Sequence, residues 1–153
     1  VTTETTNADT VSAQQQILAV LKDRAAAITG KDARRALANC APDIVAFDLA
    51  PPLQMAGPEA LDPAGLEWWF QTWDGPIGYD LGELTIAVDG AVAFSYGLTH
   101  LHGTKTDGGD VDLWFRSTIG LSAVSGSWQI VHEHSSTPFY MDGSGRAALD
   151  LRP

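Results

Sequence analysis

W-Q-I-V-H-E-H-S-S-T-P-F, residues Trp128–Phe139, follows a Ser125-Gly126 turn signal, alternates through residues that favour strands, and stops at Pro138. In a strand, residues two apart project to the same face, so His132 and His134 point one way and Glu133 the other. Three titratable groups therefore stand back to back in the last strand of a sheet.

Working back from that strand, Val111–Val124 leads into Ser125-Gly126, and Asp107–Gly109 marks the preceding turn. Ala91–Thr104 and Leu81–Val88 are joined by Asp89-Gly90, a strong two-residue hairpin signal. Three hairpins in succession predict a four-stranded antiparallel meander, entered through a turn at Gly75-Pro76. Upstream, Asp43–Leu49 (D-I-V-A-F-D-L) predicts a strand with Ile44, Ala46 and Asp48 on one face. Pro51-Pro52 breaks it, and Leu53–Ala56 reads as a short edge strand.

Helical spacing dominates the first part of the chain. Ile17, Leu18, Leu21, Ala25 and Ile28 form one stripe, with Ser12 as N-cap and Gly30 as stop; Asp32 caps a shorter helix that buries Ala33, Ala36 and Leu37 and ends before Pro42. Leu66, Trp69, Phe70 and Trp73 recur at helical spacing in the segment after Gly57-Pro58, as core packing, pocket lining, or both. Two helices, a strand, an aromatic helix and a meander give an α+β class with helices on one face of the sheet. Residues 1–10 are Thr-rich and aperiodic and are expected to be disordered; residues 11–153 form a single domain. In the tail, Ala147, Ala148, Leu149 and Leu151 can dock on a surface or a partner subunit.

With 19 acidic against 9 basic residues and a formal charge of −10, the chain lacks the basic surface that nucleic acid requires and would be repelled by anionic membranes. No apolar run approaches the ~20 residues that span a bilayer, and Cys40 is the single cysteine, so a cytoplasmic location is expected.

The order of elements, together with G-P-I-G-Y-D-L-G-E-L-T-I at Gly75–Ile86, W-F-R-S-T at Trp114–Thr118, the last strand and the A-L-D-L-R-P terminus, resembles the SnoaL-like branch of the nuclear-transport-factor-2-like superfamily. That superfamily also holds ketosteroid isomerases and polyketide cyclases. The last strand is similar, too, to that of the calcium/calmodulin-dependent kinase II association domain, a non-enzymatic module. The resemblance implies a cone, a cystatin-like α+β roll in which a curved antiparallel sheet wraps the N-terminal helices around a pocket. It also implies a homodimer formed through the outer face of the sheet. The oxyanion donors and base of the steroid isomerases have no residue-by-residue match here, so isomerase activity does not carry over.

Acid–base chemistry in such a pocket needs a group with a shifted pKa and a donor for developing negative charge. The candidate catalytic residues are Arg116, Glu133, His134, His132 and Asp48; Trp69, Trp73, Tyr96, Trp114 and Ser135 are the candidate ligand-binding residues. Arg116, between bulky neighbours, is expected to take a carboxylate or ligand anion as partner. A tight turn at Ser125-Gly126 sets Arg116 on the Glu133 face, whereas a longer loop or a bulge sets it with the two histidines. Either way the pocket is expected to receive Arg116 and a titratable group from the last strand. His100-x-His102 and His132-x-His134 would offer four nitrogens only if the strands brought them within reach, so no metal and no cofactor is expected.

The leading expectation is a protein that binds a small apolar molecule carrying a carbonyl or carboxylate, with isomerase, cyclase or dehydratase chemistry. The alternative is a non-catalytic dimeric module, with Trp69 and Trp73 plugging the cone.

Overall fold

A computed structural model describes residues 2–153, with side chains from Asp9 onward. The expectation of disorder over residues 1–10 falls, for residues 1–8, outside those described side chains. Helix α1 (Thr2–Thr29) carries the expected apolar stripe: Ile17, Leu21, Ala25 and Ile28 are all buried. Ser12 lies inside this helix rather than capping it. At the other end Lys31, not Gly30, takes the left-handed conformation (φ 56°), and Asp32 N–H donates to the Ala27 carbonyl at 2.8 Å. Asp32 then caps α2 (Ala33–Leu37) by accepting from Arg35 N–H.

The sheet has six strands: β1 (Cys40–Phe47), β2 (Met55–Ala56), β3 (Trp73–Asp89), β4 (Val92–Lys105), β5 (Asp110–Val124) and β6 (Ser127–Ser136), in the order β2-β1-β6-β5-β4-β3. The last four form the expected antiparallel meander, and β1 joins β6 in parallel, so the sheet is mixed but mostly antiparallel. β3 begins earlier than its composition suggests. Gly75-Pro76 is not a turn but part of a register shift between Asp74 and Gly78 that bends the strand, and Trp73 opens β3 rather than ending a helix. The aromatic helix α3 spans Pro63–Gln71, with Asp62 as N-cap and Pro63 at its first position.

Alternation along the long strands gives the sheet an inner and an outer face. Ala93, Ser95, Thr99 and Leu101 on β4 point inward to the helices, while Phe94, Tyr96, Leu98, His100 and His102 point outward. The inner face packs into two clusters, one around Ile28, Phe70, Trp73, Ile77 and Phe115, the other around Ile17, Leu21, Ile44, Leu121, Trp128 and Ile130. The tail folds back: Ala148 is buried and donates to the Pro138 carbonyl at 2.8 Å, while Leu149 and Leu151 stay exposed. Among the described residues no helix is long and apolar enough to cross a membrane.

Candidate functional site

Between the two clusters the inner face turns polar. Ser95 and Thr99 of β4, Ser117 of β5 and Ser135 of β6 present a row of hydroxyls, with Tyr79 of β3 beside them and Glu133 of β6 among them. Facing this belt from α1 is Arg24, whose Nη1 lies 2.6 Å from Oε2 of Glu133. Leu21, Ala25, Leu81, Leu84 and Ile119 complete the walls around a free space of ≈ 30 Å³, room for about two water molecules. Solvent still reaches the pair: 16 % of the Arg24 side chain and 26 % of that of Glu133 remain exposed.

The pair is close but not saturated. Arg24 Nη1 meets the Glu133 oxygen at 2.6 Å with its N–H bonds poorly aligned to it, and Thr99 Oγ1, in the same pocket, has no hydrogen-bond partner among the described residues. A buried donor left unmade costs about 1–3 kcal/mol, so these two atoms facing one space call for a hydrogen-bonding occupant, water or the oxygen of a ligand. Burial alone would lower the pKa of Arg24, but the charge of Glu133 and its side-chain contact, with Cys40 and Tyr79 adding, hold the guanidinium protonated and raise it. Burial pushes the Tyr79 phenol up to about 12 against the pull of Arg24, so at neutral pH it is a hydrogen-bond donor. Asp48 follows the end of β1, outside the pocket lining. Its surface reaches solvent, yet burial of the carboxyl raises its pKa despite the Leu49 N–H bond, and Glu133 adds to the rise. Burial likewise pushes the Cys40 thiol up, which suits an inert core residue.

The register of the last hairpin explains which expected residues meet. Ser125-Gly126 is a tight turn, with Val124 opposite Ser127. An extra residue is then inserted where Leu121 pairs with Ile130 and Gly120 with His132, which flips the parity beyond it. Arg116 consequently lies opposite Ser136, on the outer face with His132 and His134, while Glu133 and Ser135 turn inward. The expectation that Arg116 enters the pocket is therefore corrected. It is exposed, makes no ion pair among the described residues, and needs no carboxylate because water solvates it.

His132 and His134 flank the Phe47 ring edge-on at 4.9 and 5.6 Å, and His132 Nδ1–H donates to the Val45 carbonyl at 2.8 Å, so these residues tie β6 to β1. Trp69 and Trp73 do not plug the pocket. They pack against each other at one end of the core, with Lys105 Nζ 3.9 Å above the Trp73 ring. Tyr96 stacks on Phe94, and Trp114 on His100, both on the outer face. The two histidine pairs stay apart: His100 lies opposite Trp114 and His134 opposite Thr118, two strands and four residues away, on the order of 15 Å.

Arg24 is the residue that reasoning from the last strand misses. Its signal is positional: Ile17, Leu21, Arg24 and Ile28 follow the 4-3-4 spacing of a buried stripe, and a guanidinium on such a stripe requires a buried carboxylate.

The sequence pattern of the SnoaL-like domain family matches residues 17–140. No curated protein matches the chain. Among solved structures, the chain is similar to a nuclear-transport-factor-2-like protein of unknown function from Pseudomonas putida, at 30% identity over 94% of this chain and 98% of that one, with a TM-score of 0.82. A candidate scytalone dehydratase from Novosphingobium aromaticivorans shares the fold at 17% identity, covering 90% of this chain and 92% of that one (TM-score 0.74). So does a candidate calcium/calmodulin-dependent protein kinase II association domain from Xanthomonas campestris, at 22% identity over 78% and 84% (TM-score 0.64).

Proposed function

This chain belongs to the SnoaL-like domain family, and on that premise we propose that its inner pocket binds a small molecule through a carboxylate or carbonyl oxygen held by Arg24. The observation that carries the reading is the buried Arg24 guanidinium, paired with Glu133 at 2.6 Å but poorly aligned with it, beside the Thr99 hydroxyl that has no partner among the described residues. The free space, room for about two waters, restricts the ligand to a few heavy atoms unless the apolar walls give way.

Such a site is suited to proton transfer next to a carbonyl. Arg24 and the Tyr79 O–H would hold the oxygen as negative charge develops, and Glu133 would take the proton from the neighbouring carbon and return it. Isomerisation and dehydration both begin with that step, and the likeness to a candidate dehydratase supports the class of reaction. The test is deuterium uptake from D₂O at the carbon next to the carbonyl in a panel of small ketones, followed by proton NMR. Glu133→Gln is expected to slow uptake by roughly 10²-fold or more. No uptake above buffer with any compound would remove the enzymatic reading.

A second reading concerns assembly. Val92, Phe94, Tyr96 and Leu98 stand exposed along the outer face of β4, by 63, 49, 49 and 36 %. An apolar row of this kind on a sheet face suits docking of a second copy, and the likeness to an association domain supports it. Light scattering after gel filtration is expected to give the mass of a dimer, and Tyr96→Glu that of a monomer. A monomeric wild type would refute it.

A further inference from the structure

We propose that Asp80, His100 and His102 form a site for a divalent transition-metal cation of the Zn²⁺ class on the outer face of the sheet. The three side chains come from neighbouring strands, Asp80 from β3 directly opposite His100 of β4, with His102 two residues further along the same face. One donor atom from each lies within 4.8 Å of the other two. His102 Nε2 is 2.8 Å and His100 Nδ1 4.0 Å from the same Asp80 oxygen. Donors around a tetrahedral Zn²⁺ stand roughly 3.3 Å apart, given metal–ligand bonds of ~2.0–2.1 Å. Side-chain adjustments of up to about 1.5 Å therefore close the set, with the metal replacing the proton between His102 and Asp80.

The histidines are held as ligands are held. His100 Nε2 is 2.6 Å from Asp112 Oδ1, so in the neutral ring that nitrogen carries the hydrogen and Nδ1 keeps its lone pair toward Asp80. Arg152 Nη2 fixes the other Asp112 oxygen at 3.1 Å, and Trp114 stacks flat on the His100 ring, 4.6 Å between centroids and 3° between planes. Beneath His102 the chain has Gly78: a Cβ there would meet the imidazole at 2.2 Å, so the ring occupies space that only glycine leaves open. A carboxylate–histidine chain with a cradle under the second histidine goes beyond what a solvated surface ion pair requires. Two nitrogens and one oxygen match Zn²⁺ and its neighbours in the first-row series, and leave a fourth position for water or an exogenous ligand. The net charge of −10 favours cations generally, and among the described residues this is the cluster of three metal-binding side chains that includes imidazoles.

The test uses the tag-free full chain, dialysed against chelator and titrated calorimetrically with Zn²⁺, with Co²⁺ absorbance reporting the coordination geometry. One ion per chain is expected. His102→Ala and Asp80→Asn should each weaken binding by at least tenfold. Asp112→Asn, which leaves all three ligands in place, should weaken it by roughly 10–100-fold, and His134→Ala should leave it unchanged. Because these positions are largely exposed, circular dichroism should confirm native folding of each variant. Absence of saturable binding by the wild type, or saturable binding that survives both His102→Ala and Asp80→Asn, would overturn the proposal. The outcome is independent of the pocket on the inner face.

Discussion

Replacing Arg24 by methionine isolates the energetics of the polar belt. Methionine keeps the length and apolar stem of arginine on the buried stripe of α1, so the change removes charge and donors with little loss of packing. What remains is a partly buried Glu133 carboxylate among neutral hydroxyls, without its counter-ion. Removing one member of a fully buried ion pair costs about 3–5 kcal/mol. Glu133 keeps 26 % of its side chain in solvent, which reduces the expected loss to about 2–3 kcal/mol. For a domain of this size that is a fall in Tm of roughly 5–10 °C. Glu133→Gln leaves the deeper-set guanidinium unpaired and should cost a similar amount. In the double variant neither charge is stranded, so its stability should return to within about 1 kcal/mol of the wild type, a coupling energy of about 3 kcal/mol or more. Urea unfolding of the four proteins, with equal m-values as the check on two-state behaviour, measures the cycle. Additive losses, or an Arg24→Met variant as stable as the wild type, would refute the reasoning.

Two further outcomes follow from the same interior. Burial holds the Tyr79 phenol at about 12 against an ordinary 10.0. A folded-state pKa above the unfolded one gives a contribution fully present below the unfolded value and lost as pH rises to the folded one. The wild type should therefore lose about 2–3 kcal/mol more than Tyr79→Phe between pH ~10 and ~12, read from urea midpoints at stepped pH. On β4, a Cβ at Gly97 would stand 2.7 Å from the Glu83 carbonyl and 2.8 Å from a Leu84 methyl, at a register shift in β3. Gly97→Ala should cost about 1–3 kcal/mol in thermal unfolding, whereas Gly90→Ala meets nothing within 4 Å and pays only for its φ of 58°.

The architecture was legible because each strand announces itself by alternation and each hairpin by its turn. Asp89-Gly90, Asp107–Gly109 and Ser125-Gly126 are all where composition puts them. The site was only half legible. Glu133 and Ser135 face the pocket, but their companion was expected to be Arg116, because the face on which a strand residue lies depends on the parity of every pair before it. One inserted residue between Ile130 and His132 reverses that parity; the inserting strand carries no glycine or proline there, and the glycine at the irregularity, Gly120, lies on the facing strand. Arg24 carries a different lesson. A cation in a helix reads as solvated by default, and only its place between Leu21 and Ile28 on the stripe reveals that it is turned inward. Gly75-Pro76 shows the limit of punctuation signals, since the same dipeptide that ends strands elsewhere bends β3 without breaking it.

Ligand binding at Arg24 is tested most directly by titrating ¹⁵N-labelled protein with short carboxylates from acetate to hexanoate and following the Arg24 Nε–H resonance together with the backbone signals of Thr99 and Ser135. The account predicts saturable shifts at these positions in the wild type and their absence, at both backbone sites, in the folded Arg24→Met/Glu133→Gln variant. No saturable shift with any member of the series, or backbone shifts that persist unchanged in the double variant, would contradict it.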